Sequence, residues 1–437
     1  MAIESSWVLL LGGFILASGF VVHSLFRRLG APDILFLLFL GLLLGPVLGV
    51  LDRGLLLAVS PLVSAIALVV LLFEGGLSVR STDVAQGGVR GSLLGVASVL
   101  LTAAAIAAAT HLLFAWEPLF GLLFGFAVAP SGTVVLMSLL RHLPLRRDVA
   151  ALLTFENAVD DVIGILLSLA LLDFFLPGGA SPSWVAAAVV AGFLVGAALG
   201  LAGGLLSLLL LERVRRQPYF YMLVLALAFI LYSGAEIAQG SGPMAVLTFG
   251  LLLGNPNSVL RRFGRMVRVG EFQRAVGAYH AEITFLVRSF FFVYMGALVS
   301  VSQPGNFLYG GLLLLPFFGT RYLAVLLCTL RSSLAGQRAL ITLLSPKGLS
   351  TAAVVTAVLG FSAGNPAALP PAAVGRMVDL AFSILILSIV VATVGGYLLT
   401  RRGVPVAEES SPEVAAAEEE TRRKMREAAF DWWRSGK

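Results

Sequence analysis

Apolar runs of about twenty residues follow one another from Trp7 to Thr400, each closed by charges, Pro or Gly. That is the length an α-helix needs to cross a hydrocarbon core of about 30 Å. Boundaries read this way predict thirteen spans, starting near Trp7, Pro32, Leu55, Gly91, Pro118, Val149, Trp184, Pro218, Met244, Ile283, Phe307, Ala339 and Val374. The first run ends at Arg27 and Arg28 with no small-residue cleavage pattern after it, so it reads as a retained span and not as a signal peptide. The expected class is an all-α polytopic membrane protein, with residues 1–403 forming the transmembrane domain and 404–437 a cytoplasmic tail.

Composition removes the soluble alternative. Hydrophobic residues make up 58% of the chain and charged residues only 12%, about half the charge of an ordinary soluble domain. The net charge of +6 does not point to nucleic acid, because the basic residues fall in short clusters between apolar runs, the pattern of cytoplasmic loops. Threading thirteen spans through a bilayer puts 25 of the 30 basic residues on one side, leaving Arg53 and Arg376 opposite and Arg288, Arg321 and Lys347 within spans. The positive-inside rule then sets the amino terminus outside and the carboxyl terminus in the cytoplasm. Two segments, Asn257 to His280 and Val404 to Lys437, mix charge with apolar residues and are expected at the interface or in the cytoplasm. Cys328 is the single cysteine, so no intrachain disulfide forms, and His23, His111, His142 and His280 are too scattered for a histidine metal site. No cofactor is expected.

Two spans carry a break signal. Ala129-Pro130-Ser131-Gly132 in the fifth and Ser345-Pro346-Lys347-Gly348 in the twelfth place Pro-x-Gly inside apolar sequence. Pro removes a backbone donor and Gly frees the dihedrals, so each helix is expected to break there. Breaks at matching positions, seven spans apart, point to two inverted repeats with broken helices.

The sixth span holds the costliest feature, three carboxylates within six residues: Glu156, Asp160 and Asp161. A charged side chain at mid-bilayer costs roughly 2.5–3.5 kcal/mol, so three persist only against a wet or protein-lined cavity. Arg146 and Arg147 fix the cytoplasmic end, and Asp161 lies about 14 residues, or ~21 Å, further in. Glu156 and Asp160, at i and i+4, share a face and repel unless a proton or cation lies between them. Burial disfavours the charged form of a carboxylate and a nearby cation favours it, so one Asp holds either a proton or a metal ion. That competition couples two opposed fluxes when the site opens to one side at a time, the logic of an antiporter and not of an enzyme. Hard oxygen ligands suit Na⁺, Li⁺ or K⁺. An unwound stretch at Ser131, Gly132 and Thr133 is expected to add carbonyls and two hydroxyls to the ligand set, and Lys347 to offset the negative charge from the second break.

Glu74 and Arg321 are the other ionisable residues in apolar runs, and a Glu74, Glu156 and Arg321 network is expected. Arg288, at the start of an aromatic run, is expected to snorkel to the interface, and Glu236, Glu282 and Asp379 to lie solvated near span ends.

Phe73-Glu74-Gly75-Gly76-Leu77, the Glu-x3-Asp-Asp pattern at Glu156, Asp160 and Asp161, Arg288-Ser-Phe-Phe-Phe-Val and Pro346-Lys347-Gly348-Leu349 resemble, in order, motifs of the sodium/proton antiporter family of the monovalent cation/proton antiporter superfamily, over residues 7 to 400. The resemblance implies a thirteen-span fold with crossing broken helices, a six-helix core moving against a dimerisation domain, and a homodimer. It also implies that Asp161 binds both Na⁺ and H⁺, that Glu156 and Asp160 border the cation, and that Glu74, Arg321 and Lys347 hold the core helices together. A prokaryotic plasma membrane is the expected setting, with membrane lipids as surroundings. The electroneutral branch usually carries Asn where this chain has Asp160, and a Thr-Asp pair where it has Ser131-Gly132. Two adjacent Asp resemble the electrogenic branch, which predicts voltage-sensitive exchange.

Three other readings compete. A potassium/proton antiporter uses the same ligand chemistry with a different cavity size. An intramembrane aspartyl protease also buries two Asp, but neighbours such as Asp160 and Asp161 point about 100° apart on one helix and face no common peptide bond. A passive channel would conduct without moving protons.

Overall fold

The computed structural model describes residues 5–29, 34–78, 88–132, 135–136, 139–140, 143, 145–175, 182–214, 219–256, 270–299, 305–330, 332 and 334–401. In chain order its helices are α1 (Ser5–Leu29), α2 (Ile34–Leu42), α3 (Arg53–Ser78), α4 (Gly88–Phe114), α5 (Pro118–Val128), α6 (Arg147–Leu172) and α7 (Pro182–Val214). They continue with α8 (Phe220–Ile237), α9 (Gly242–Gly254), α10 (Gly270–Leu298), α11 (Gly305–Cys328), α12 (Arg338–Leu343), α13 (Leu349–Gly364) and α14 (Pro371–Arg401). Seven of the described helices are long and apolar enough to cross a membrane, and five shorter apolar helices accompany them.

A helix begins within three residues of every expected start but one. The exception is α10, which starts at Gly270, well before Ile283. Hydropathy misses this first part because its buried stripe is itself partly polar: Val276, His280 and Thr284 recur every four residues and are buried, while Tyr279, Ala281 and Glu282 are exposed. The segment expected at the interface is therefore helical from Gly270 onward. Its residues 257–269, the tail 404–437 and Thr133 lie outside the described residues.

Helix contacts sort the chain into two groups. One contains α1, α2, α3, α7, α8, α9 and α10; the other contains α4, α5, α6, α11, α12, α13 and α14. Small residues let backbones approach within the first group: a β-carbon on Gly76 would lie 2.5 Å from the carbonyl oxygen of Leu247, and one on Gly296 2.2 Å from that of Leu38. The groups meet mainly along α3 and α13. There the Ser60 hydroxyl donates to the Thr356 carbonyl at 3.0 Å, and Gly360 packs on Pro61. Large apolar side chains such as Leu9, Phe20, Leu194 and Ile230 face outward, as a lipid-facing perimeter requires.

Two expectations about charged residues fail here. Asp379 is buried and accepts a hydrogen bond from the Asn306 amide at 3.0 Å, because α11 and α14 pack face to face where the sequence suggested a solvated helix end. Arg288 is buried instead of snorkelling, since it lies in the middle of the longer α10 and not near its end.

Candidate functional site

Both expected breaks are present. Helix α5 stops at Val128, Ala129 to Gly132 are non-helical, and helical conformation resumes at Val135 and Leu136. The twelfth run divides into α12 and α13, with Leu344 to Gly348 unwound between them. The two breaks touch. The Gly132 N–H donates to the Pro346 carbonyl at 2.6 Å, and the Ser131 and Ser345 hydroxyls lie 2.8 Å apart. A β-carbon on Gly132 would sit 2.6 Å from the Gly348 α-carbon, so both positions need Gly for the backbones to cross. On the neighbouring helix, Gly164 leaves the space that Pro130 fills.

Buried backbone groups must find partners in a chain that lipid surrounds, and unwinding removes the helical ones. Lys347 Nζ donates to the Ala129 carbonyl at 2.5 Å, Asn157 Nδ2 donates to the Ser131 carbonyl at 2.8 Å, and the Lys347 N–H donates to Ser388 at 3.0 Å. Of the carbonyls expected to be open for a cation, that of Ser131 is thus engaged by a side chain and that of Gly132 accepts from the Leu136 N–H at 2.9 Å. Lys347 is fully buried, its ammonium 4.0 Å from the centre of the Phe317 ring.

Helix α6 delivers the acids to this crossing. Glu156 and Asp160, and Asn157 and Asp161, form two i,i+4 rows on one side of the helix. Asp160 is 0% exposed and accepts from the Ser131 N–H at 3.2 Å, the Ser131 hydroxyl at 2.9 Å and Asn157 Nδ2 at 3.3 Å. Asp161 is partly exposed; it accepts a short hydrogen bond from the Ser350 hydroxyl and a longer one, 3.5 Å, from Asn157 Nδ2. Lys347 lies close enough to act electrostatically on both carboxylates. Asn157 Oδ1 is buried with no hydrogen-bond partner among the described residues.

Glu156 stands elsewhere. Its Oε2 accepts from Arg321 Nη2 at 2.9 Å and its Oε1 from Nη1, and Arg321 also donates to Ser98 and to the Ile341 carbonyl. This fork-to-fork pair, 1% exposed on both sides, engages both oxygens of Glu156, where the sequence suggested a cation ligand. Among the described residues no group of three or more acidic, His or Cys side chains converges. The expected Glu74, Glu156 and Arg321 network is likewise split. Glu74 accepts from Thr284 at 3.4 Å and lies within the field of Arg288, both on α10, because α3 packs against that helix at this level.

The structure therefore brings together Asp160, Asp161, Ser131 and Lys347 from the sequence reading, sets Glu156, Arg321 and Glu74 apart, and leaves Thr133 undescribed. It adds Asn157, Ser345 and Ser350. Asn157 was legible as an amide one turn before Asp161; Ser345 and Ser350 flank the second Pro-Lys-Gly and had no local signal beyond that position.

Comparison with known proteins follows the same outline. Residues 14–401 match the family model described as "Sodium/hydrogen exchanger, transmembrane". A protein of Shewanella oneidensis named K(+)/H(+) antiporter NhaP2 is 28% identical over 254 residues, covering 56% of this chain and 43% of its own length. One of Methanocaldococcus jannaschii, named "Probable Na(+)/H(+) antiporter 2", is 25% identical over 317 residues, covering 67% of this chain and 70% of its own. The match to the Shewanella protein thus spans under half of that relative's length. The solved structure of the sodium proton antiporter MjNhaP1 from M. jannaschii at pH 8 superposes with a TM-score of 0.78 at 22% identity, covering 91% of this chain and 99% of that one.

Proposed function

The chain belongs to the sodium/hydrogen exchanger family, and from that premise we propose that it exchanges a monovalent cation for protons by alternating access at Asp161. The observation that carries this reading is the pair of helix breaks crossing against two adjacent acids, one buried and one partly exposed, that accept from hydroxyl and amide groups of both breaks and of α6. Asp161 is the exchange residue because it is partly exposed, whereas Asp160 is sealed between Ser131 and Asn157 behind it. A proton or a cation on Asp161 offsets that carboxylate's charge, and arrival of one expels the other. Access alternates as the group holding α6 and both breaks shifts against the other group along the α3 and α13 seam.

Na⁺ is the first-choice cation, with Li⁺ as a close analogue. K⁺ is the second reading, favoured by the name of the Shewanella relative. Two protons per cation, the stoichiometry suggested by adjacent Asp160 and Asp161, would move one net charge per cycle, worth roughly 2.3 kcal/mol per 100 mV. A homodimer, an outside amino terminus and a cytoplasmic carboxyl terminus in a prokaryotic plasma membrane complete the proposal.

The test is cation-driven proton flux in proteoliposomes carrying a pH-sensitive dye. Wild type collapses a pH gradient on addition of NaCl or KCl, at a rate that changes when the membrane potential is clamped at different values. Asp161→Asn gives no flux while its melting temperature in detergent stays within a few degrees, since the amide keeps the shape and removes a buried charge. Undiminished flux in Asp161→Asn refutes the proposal, and a rate indifferent to voltage refutes its electrogenic part.

A further inference from the structure

Most hydroxyls in these helices bond back to their own backbone. Ser64 donates to the Ser60 carbonyl, Thr110 to Ile106, Thr154 to Ala150 and Thr356 to Ala352, each four residues earlier. Ser350, on the second residue of α13, instead spends its proton on Asp161 Oδ1, across 189 residues of sequence. Ser350 is 3% exposed, and α13 packs against both α5 and α6. The hydroxyl therefore approaches the exchange carboxylate from the opposite half of the chain.

We infer that Ser350 is a further ligand of the transported cation, contributed by the second broken helix. A hydroxyl carries one donor and two lone pairs, and its proton rotates freely about the C–O bond. Beside an ionised Asp161 it donates, the contact described above. Beside a cation held on Asp161 the same oxygen turns its lone pairs inward, a hard neutral ligand next to a charged one. Beside a protonated Asp161 it accepts. One side chain thus answers each occupancy of the carboxylate without moving its backbone. Asp160 lacks this freedom, because the Ser131 hydroxyl that reaches it is also within hydrogen-bond distance of Ser345 and sits next to a Ser131 N–H that cannot turn.

This inference rests on the antiport reading, so two measurements separate their failures. The first is cation binding in detergent, followed as the rise in melting temperature with NaCl or KCl against choline chloride. Ser350→Ala is expected to need about tenfold more cation for the same rise, the loss of one hydroxyl contact to a charged site, and Ser350→Thr to restore binding to within about threefold. The second is flux: Ser350→Ala raises the KM for the cation about tenfold with maximal rate within about twofold of wild type. Binding unchanged in Ser350→Ala overturns the inference, as does a fall in maximal rate at unchanged KM in both variants, which marks a structural role. A wild type that binds cation but moves no protons refutes antiport and leaves the binding comparison to judge Ser350. A wild type that binds none of these cations refutes the ligand.

Discussion

Helix α6 carries two acidic stations less than two turns apart, and the fold treats them in opposite ways. Glu156 meets a guanidinium that spends two donors on it, at a place 1% exposed. Asp160 and Asp161 meet hydroxyls, one amide and one backbone N–H, with Lys347 held off on the Ala129 carbonyl. The difference is one of exchangeability. A carboxylate with a bidentate Arg has its positive partner built in and never releases it at ordinary pH. A carboxylate that accepts from hydroxyl, amide and backbone N–H groups is not locked into such a fork, and a proton or an alkali cation can come and go beside it. The same residue chemistry is a clamp at one station and, in the proposed function, a binding site at the next.

Breaking the clamp gives the largest change in stability. Arg321→Ala strands a buried Glu156 and is expected to cost about 3–5 kcal/mol, read as a drop in melting temperature in detergent. Replacing both partners, Arg321→Met with Glu156→Leu, should recover most of that loss, because a well-packed apolar pair needs no desolvation. If the double variant is as unstable as the single one, Glu156 has a role beyond pairing and the contrast with Asp161 weakens.

The crossing itself comes next. A β-carbon added at Gly348 would lie 2.5 Å from the Gly132 α-carbon, and backbone cannot yield as a side chain does. Gly348→Ala is expected to cost about 1–3 kcal/mol and to slow cation-driven flux strongly, since it pushes Ser131 and Ser350 out of register with the acids. A variant that melts lower yet transports at the wild-type rate would show that the crossing holds the fold and not the site.

The smallest effect sharpens the comparison by control. Thr154 lies two residues before Glu156, exposed, with its hydroxyl turned back to the Ala150 carbonyl at 2.8 Å. Thr154→Val should stay within about 0.5 kcal/mol and leave flux unaltered. A large loss there would mean that any change on α6 disturbs transport, and the special standing of its acids would lapse.

Much of this was legible in the chain. Hydropathy and punctuation located the helix starts, because the cost of charge in lipid is paid residue by residue. The two Pro-x-Gly strings located the breaks, since the missing donor and the freed dihedrals are properties of those residues alone. The acids of α6 were visible for the same reason. What failed depended on neighbours distant in sequence: the burial of Asp379 beside Asn306, the burial of Arg288 inside a longer α10, and the company Glu74 keeps on that helix.

By itself, then, the sequence determined that this protein lies in a membrane, where its helices start and break, and which side chains are too costly to be there without a task. Only the tertiary structure decided that Glu156 pairs with Arg321 and Asp161 with Ser350, because those partners stand 165 and 189 residues away from them. Local sequence prices the burial of a carboxylate, but what relieves that burial is chosen by helices that meet only when the chain has folded.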